Sequence, residues 1–340
     1  MLKNILHLEE PALNSCSPYG CFFLIMSKNM LPWIYNNFIQ IKYSKEMGLF
    51  QYSKHHQLLT DCSAITYYSF SKNTIIQKWN QSIKEVVIDA IDSNNYLYMN
   101  VDYFYLPDSF YFMFQHNIAE IFVYGYDLKK GCANIIANIN GIYKTIECLF
   151  IDLENAYWKQ DDKNIMTKIH FIQVNKNCEY KINLNQIIIG LEDYLYSKGE
   201  TYSFNQKNYD IGIESYNHIF EELSRVAISR NIIDIRTFDF MYEHQLLMEM
   251  RVKYFIDHKY FDDAEELLED FKELTNEYLK LRNMVLLYEL KKNDYLMNVI
   301  INTIDNNIII EKKLISDLIK KLNTSKTKYT KYKKVSNFLL

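Results

Sequence analysis

The sequence predicts an α+β chain, with an antiparallel sheet and its helices first and an all-helical part after it. Three observations predict this. All four prolines (11, 18, 32, 107) fall in the first third, and residues 213–340 hold neither glycine nor proline, so nothing there forces a helix to break. Within that region Leu267, Leu268, Phe271 and Leu274 recur at three- and four-residue steps, with Glu265, Glu266, Glu269 and Asp270 between them. That is the period of an amphipathic helix. Between residues 96 and 174, by contrast, aromatic and branched residues come in short runs bounded by Gly, Asn and Asp, as strands do.

Taken in order, the apolar run Ser17–Met30 predicts a short buried helix. Thr74–Asp92 predicts an amphipathic helix through Ile75, Ile76, Trp79, Ile83, Val86, Val87 and Ala90. Tyr96–Leu106 alternates and reads as a strand, followed by strands at Ile118–Tyr126, Ala133–Ile139 and Lys168–Val174. The first two of those flank Gly-Tyr-Asp and Leu-Lys-Lys-Gly, which makes them a hairpin. Helices fit about 151–158 and 184–197, and then 210–229, 235–258, 262–291, 293–305 and 310–322. Asp210 and Asp234 are expected N-caps, since a short carboxylate accepts first-turn N–H groups. Five lysines between 326 and 334 read as a frayed, solvated end. The expected organisation is an α+β domain over 1–205, a helical domain over 206–325 and a basic tail over 326–340.

Composition narrows the function classes. With 49% hydrophobic and 15% aromatic residues, the 340-residue chain is too rich in core formers to be disordered. A net charge of −4 gives no global field towards nucleic acid or an acidic membrane. Cys21–Met26 is too short for a bilayer span of about 20 residues, and no basic leader precedes it. The six cysteines show no CxxC and no zinc spacing. They are expected to be reduced, mostly buried thiols in a cytoplasmic protein. No metal or cofactor is expected. His55-His56 are adjacent and cannot converge on one ion, Glu243-His244 lacks HExxH spacing, and no phosphate-loop glycine pattern is present. Asp234 and Arg236 are expected to form a buried ion pair at a helix start.

One arrangement carries chemistry. A papain-like site needs a cysteine at the start of a buried helix, where the dipole and a nearby imidazolium stabilise the thiolate. It needs a histidine on a neighbouring strand to move protons, and usually an Asp or Asn to orient that histidine. Cys16-Ser-Pro-Tyr-Gly-Cys-Phe-Phe-Leu-Ile-Met suits the first requirement. Cys21, inside the apolar run, reads as packing. Asn138 or Asn140 could orient an imidazole, or serve as turn residues beside Gly141. Tyr103 and Tyr105 belong to an aromatic series expected to form a core and the wall of a binding groove, and Tyr126 is expected to join them as a binding residue.

Cys16-Ser-Pro with the apolar run after it is similar to the Cys-Gly-Pro start of bacteriocin-processing papain-like peptidases. Ala119–Asp127 resembles the strand of those enzymes that begins with His and ends in Gly-Tyr-Asp. The chain more closely resembles the butirosin biosynthesis protein H-like group, which accompanies peptide and amide natural-product clusters. Three segments carry that resemblance: Pro32-Trp-Ile-Tyr-Asn-Asn-Phe-Ile-Gln-Ile; Asp102-Tyr-Phe-Tyr-Leu-Pro with Gln115-His through Asp127; and Ile233-Asp-Ile-Arg-Thr-Phe through Tyr242-Glu-His-Gln-Leu-Leu-Met to Arg251. It spans roughly residues 14 to 300. It implies a papain-like fold that cleaves amides or transfers an acyl group from a thioester, carried by an acyl carrier protein or a peptide, to an amine. It also implies that the group's usual histidine position is Ala119 here, while His116 matches a second histidine of close relatives. The expected catalytic set is Cys16, His116 and Asn138. Side-chain alternation places His116 and residue 119 on opposite faces of a strand, so His116 replaces the missing base only if a bulge or a strand start re-aims it. The alternative expectation is a non-catalytic homologue that binds a carrier protein or peptide as a scaffold.

Overall fold

The computed structural model describes residues 1–10, 13, 20–55, 57–139, 142–160, 167–199, 208–229, 231–261 and 264–336, excepting the side chains of 142 and 326–336. In chain order the elements are β1 (Lys3–Ile5), α1 (Leu31–Asn37), β2 (Ile41–Ser44), β3 (Leu49–Tyr52), α2 (Gln57–Thr60), β4 (Ile65–Phe70), α3 (Lys72–Trp79), α4 (Ile83–Asp92), β5 (Tyr96–Asp102) and β6 (Ile118–Asp127). They continue with β7 (Cys132–Ile139), β8 (Ile142–Leu149), α5 (Phe150–Trp158), β9 (Ile169–Val174), α6 (Leu184–Leu195), β10 (Tyr209–Ile211), α7 (Asn217–Ser229), α8 (Ile235–Asp257), α9 (Glu265–Lys291) and α10 (Asp294–Ser336). The fold class is α+β, as expected. The chain forms two compact units, 1–31 with 57–179 and 32–56 with 180–340. They interleave in sequence, whereas the sequence alone suggested one boundary near 205.

The first unit is built on an antiparallel sheet of order β4-β9-β5-β6-β7-β8, with β1 added to the far end of β6. Alternation sorts its side chains. Leu97, Met99, Val101, Ile121, Ile135 and Ala137 share one face with the apolar sides of α3, α4 and α5, in a core that includes Trp79, Val86, Val87, Leu153 and Tyr157. The opposite face carries Tyr98 and Phe122, onto which Phe22 packs at ring distances of 5.6 and 5.5 Å. The expected Ser17–Met30 helix is not one element among the described residues. It contains two short 3₁₀ turns, Gly20–Leu24 and Lys28–Met30. The expected Thr74–Asp92 helix is divided into α3 and α4. Asn80 and Gln81 take positive φ values of 50° and 65°, and Ser82 starts α4 by accepting the Glu85 N–H, half of a capping box.

The Gly-Tyr-Asp sequence has a structural reading. A Cβ at Gly125 would lie 2.8 Å from the Asn4 carbonyl oxygen, so only glycine lets β1 dock. The Tyr126 hydroxyl donates to Asp92 at 2.8 Å. Asp127 accepts from the Lys129 and Lys130 N–H groups in the turn to β7.

The second unit holds a small antiparallel sheet of order β10-β2-β3. Phe50 and Tyr52 pack on Phe240 of α8 at 5.9 and 5.1 Å. Arg251, fully buried in α8, donates to the carbonyls of Tyr35 and Phe38 at 3.0 and 2.8 Å, and so caps the end of α1. The His244 ring bonds to the Ile39 carbonyl at 3.0 Å. Two of the segments singled out in the sequence, 32–41 and 233–251, therefore meet here. Glu311 of α10 is completely buried and accepts from Tyr194 and, at 2.7 Å, from Tyr278.

Several expectations are corrected in this unit. The expected helices 293–305 and 310–322 are replaced by one helix, α10, which begins at Asp294 and continues to Ser336 through the lysine-rich segment. Asp234 does cap α8, through the Arg236 N–H. Asp210 caps nothing; it sits in β10 and pairs with Lys45 at 3.0 Å. The Asp234–Arg236 ion pair exists but is solvated, with the Arg236 side chain 61% exposed.

Candidate active site

The site grows from the end of β5. Asp102 is almost fully buried, at 1% exposure. Its Oδ1 accepts from the backbone N–H groups of Phe104 and Asn117, both at 3.1 Å. The first of these bonds caps the 3₁₀ turn Tyr103–Tyr105, and the second fixes the return of the chain into β6. Its Oδ2 lies 2.6 Å from Nδ1 of His116. An ionised carboxylate can only accept, so Nδ1 carries the proton and a neutral ring keeps its lone pair on Nε2. The imidazole stacks on Phe104 at 4.4 Å and its side chain is 65% exposed. A histidine oriented by a buried carboxylate, with no partner on its second nitrogen among the described residues, has the geometry that a general base and its orienting group require.

This orientation owes nothing to the strand pleat, because His116 precedes β6. Ala119 lies within β6, pairs with Val101, and packs into the helix-covered core. The 3₁₀ turn Gly20–Leu24 covers the other face, where Phe22 meets Phe122 and Gly20 abuts the Tyr143 ring. An imidazole at position 119 would therefore point away from that turn. The β6 residue on the turn's side is Glu120, which accepts from the Tyr143 hydroxyl at 2.7 Å.

The other expected residues divide. Cys16 and Asn140 lie outside the described residues. Asn138 is half-buried, but His116 takes Asp102 as its partner instead. Tyr103 is buried rather than part of a groove wall; its hydroxyl donates to the Glu120 carbonyl at 2.8 Å and accepts from the Asn138 N–H at 3.1 Å, bridging β6 and β7. Tyr126 is also buried, bonded to Asp92. Tyr105 is half-buried beside His116, with ring centroids 6.3 Å apart. Cys21 is fully buried, and burial together with the Glu120 charge pushes its thiol well above the usual range, so it packs rather than reacts. The five described cysteines are free thiols, four of them buried. Among the described residues no cluster could hold a metal ion, and no helix is long and apolar enough to cross a membrane.

Sequence reasoning overlooked Asp102. The available signal was an aspartate at the end of an alternating run, followed by an aromatic turn, the position of a capping carboxylate. Neither a family model nor a curated protein matches the chain.

Proposed function

We propose that the chain is a papain-like cysteine acyltransferase of the butirosin biosynthesis protein H-like kind, in a peptide or amide natural-product pathway. Cys16 is the nucleophile, His116 the base and Asp102 the residue that orients it. The Cys16 thiolate attacks the carbonyl of a carrier-bound thioester, forming a new thioester as the carrier thiol departs with a proton from His116. An amine then attacks the acyl-enzyme; the C–N bond forms, the C–S bond breaks, and His116 relays the amine proton to the Cys16 sulfur. Exchange of one thioester for another is nearly isoenergetic, so it asks less proton transfer than amide cleavage.

The observation that carries this reading is the His116–Asp102 pair at 2.6 Å, with no partner on Nε2 among the described residues. A second supports it. The turn that begins four residues after Cys16 lies over Glu120 and Tyr143. Glu120 is two residues along β6 from Ile118, the partner of Asp102, which is about 7 Å of strand.

A scaffold without turnover is the second reading, and one observation favours it. The residues from Gly20 to Leu24 form a 3₁₀ turn rather than an α-helix, and so short an element supplies little dipole to a thiolate.

Iodoacetamide labelling at pH 7, read by mass spectrometry, separates the two. The enzyme reading expects Cys16 to label fastest, and His116→Ala and Asp102→Ala to slow it by tenfold or more. Labelling of Cys16 no faster than that of the half-exposed Cys178 would leave the scaffold.

A further inference from the structure

The loop between β5 and β6 carries an apolar patch that the proposed chemistry does not use. Phe110, Phe112, Met113 and Phe114 are 71, 40, 67 and 75% exposed. Ser109 to Gln115 holds no charged residue. Around the patch the loop is anchored. Leu106 and Ser109 are buried, and Tyr111 packs against the helix-covered core of the sheet.

The backbone of this tip is satisfied from within. The Tyr111 N–H donates to Ser109 Oγ at 3.0 Å. The N–H groups of Phe112, Met113, Phe114 and Gln115 donate to the carbonyls of Ser109, Phe104, Tyr111 and Tyr111, at 3.0 to 3.1 Å. Met113 takes a φ of 55°, a left-handed conformation that suits glycine or asparagine better. An apolar side chain is thus held out where the backbone favours a small or polar one.

These features select a lipid surface over a protein partner. The hydrocarbon boundary offers no water, so backbone that enters it must find its partners internally. Five consecutive donors of this tip already have theirs. At about 200 Å² for a full aromatic side chain, the patch exposes about 500 Å². That falls short of the roughly 800 Å² each partner gives to a stable protein interface. A bilayer needs no matching surface, because each inserted side chain gains on transfer by itself. The net charge of −4 supplies no attraction to an acidic membrane, which leaves the apolar term.

We propose that the loop Ser109–Gln115 docks this protein on the surface of a lipid bilayer, with Phe110, Phe112, Met113 and Phe114 in the boundary between headgroups and acyl chains. The proposal is independent of the acyl-transfer reading, since it invokes no chemical step.

Flotation of the full chain with vesicles of phosphatidylcholine alone tests it, at about 0.1 M and about 1 M sodium chloride. Saturable binding is expected, changing less than about twofold between the two salts. Phe110→Ser combined with Phe114→Ser, both at exposed positions, is expected to weaken binding by about tenfold or more with the circular dichroism unchanged. Met113→Asn suits the left-handed backbone, so its urea midpoint is expected to hold or rise while vesicle binding falls by about threefold or more. His116→Ala is expected to bind vesicles as the parent does, which keeps this outcome separate from failure of the acyl-transfer reading. No binding to phosphatidylcholine, binding that needs phosphatidylserine and vanishes at high salt, or undiminished binding by either loop variant would overturn the proposal. So would a dimer in light scattering that the double variant abolishes, found in place of vesicle binding.

Discussion

Acidification is expected to destabilise the second unit through His244. The ring is completely buried, bonded through Nε2 to the Ile39 carbonyl, and 3.8 Å from Glu311. Burial, reinforced by the Arg251 charge and opposed by the Ile39 bond, lowers its pKa from 6.5 to about 3. The unfolded chain therefore binds the His244 proton more readily throughout the interval between those values. The stabilisation is complete above pH 6.5 and is lost as the pH falls towards 3. Between pH 7 and pH 4.5 the loss amounts to about 2–3 kcal/mol. Glu311 works in the opposite sense, because burial raises its pKa and the folded state holds that proton more tightly. Comparison with His244→Gln separates the two. The amide can still donate towards the Ile39 carbonyl but does not titrate. Urea unfolding at the two pH values, followed by fluorescence and circular dichroism, is expected to show the parent losing about 2–3 kcal/mol more than the variant. Equal pH dependence of the two proteins would refute the reasoning.

Two further outcomes follow from the first unit. Asp102→Ala removes the acceptor of two backbone N–H groups and is expected to cost about 3 kcal/mol, whereas His116→Ala, on an exposed ring, costs less than about 1 kcal/mol; urea midpoints of the two variants read the contrast. Gly125→Ala drives a methyl group into the Asn4 backbone and is expected to cost about 1–3 kcal/mol. It also loosens β1, seen as faster hydrogen exchange at the Leu6 amide, which bonds to the Tyr124 carbonyl at 2.7 Å.

What the sequence reveals of this fold depends on how local the determining contact is. β6, β7 and α5 were legible because each carries its own period and its own punctuation. Asp234 was legible as a cap because the N–H it serves lies two residues away. The break between α3 and α4 was not, since Asn80 and Gln81 are tolerable helix residues and only their left-handed backbone ends the element. The apolar run at 20–24 fits a helix or a buried turn equally well. β2 alternates as Ile-Lys-Tyr-Ser, but it and β3, Leu-Phe-Gln-Tyr, have only four residues each. The pairing of Asp102 with His116 depends on β5–β6 register and on the intervening loop, neither of which is local. The opposite placement of Ala119 and Glu120 was available from alternation alone. Only the structure shows which of them faces the 20–24 turn.

The interleaving of the two units has a consequence for synthesis. Ile39, Phe50 and Tyr52 leave the ribosome about two hundred residues before Arg251 and His244, which engage that stretch. At ordinary elongation rates this is a wait of roughly 10–40 s. For that time the apolar side chains of the hairpin, Phe50 and Tyr52, stand without the α8 residue Phe240 that later packs on them.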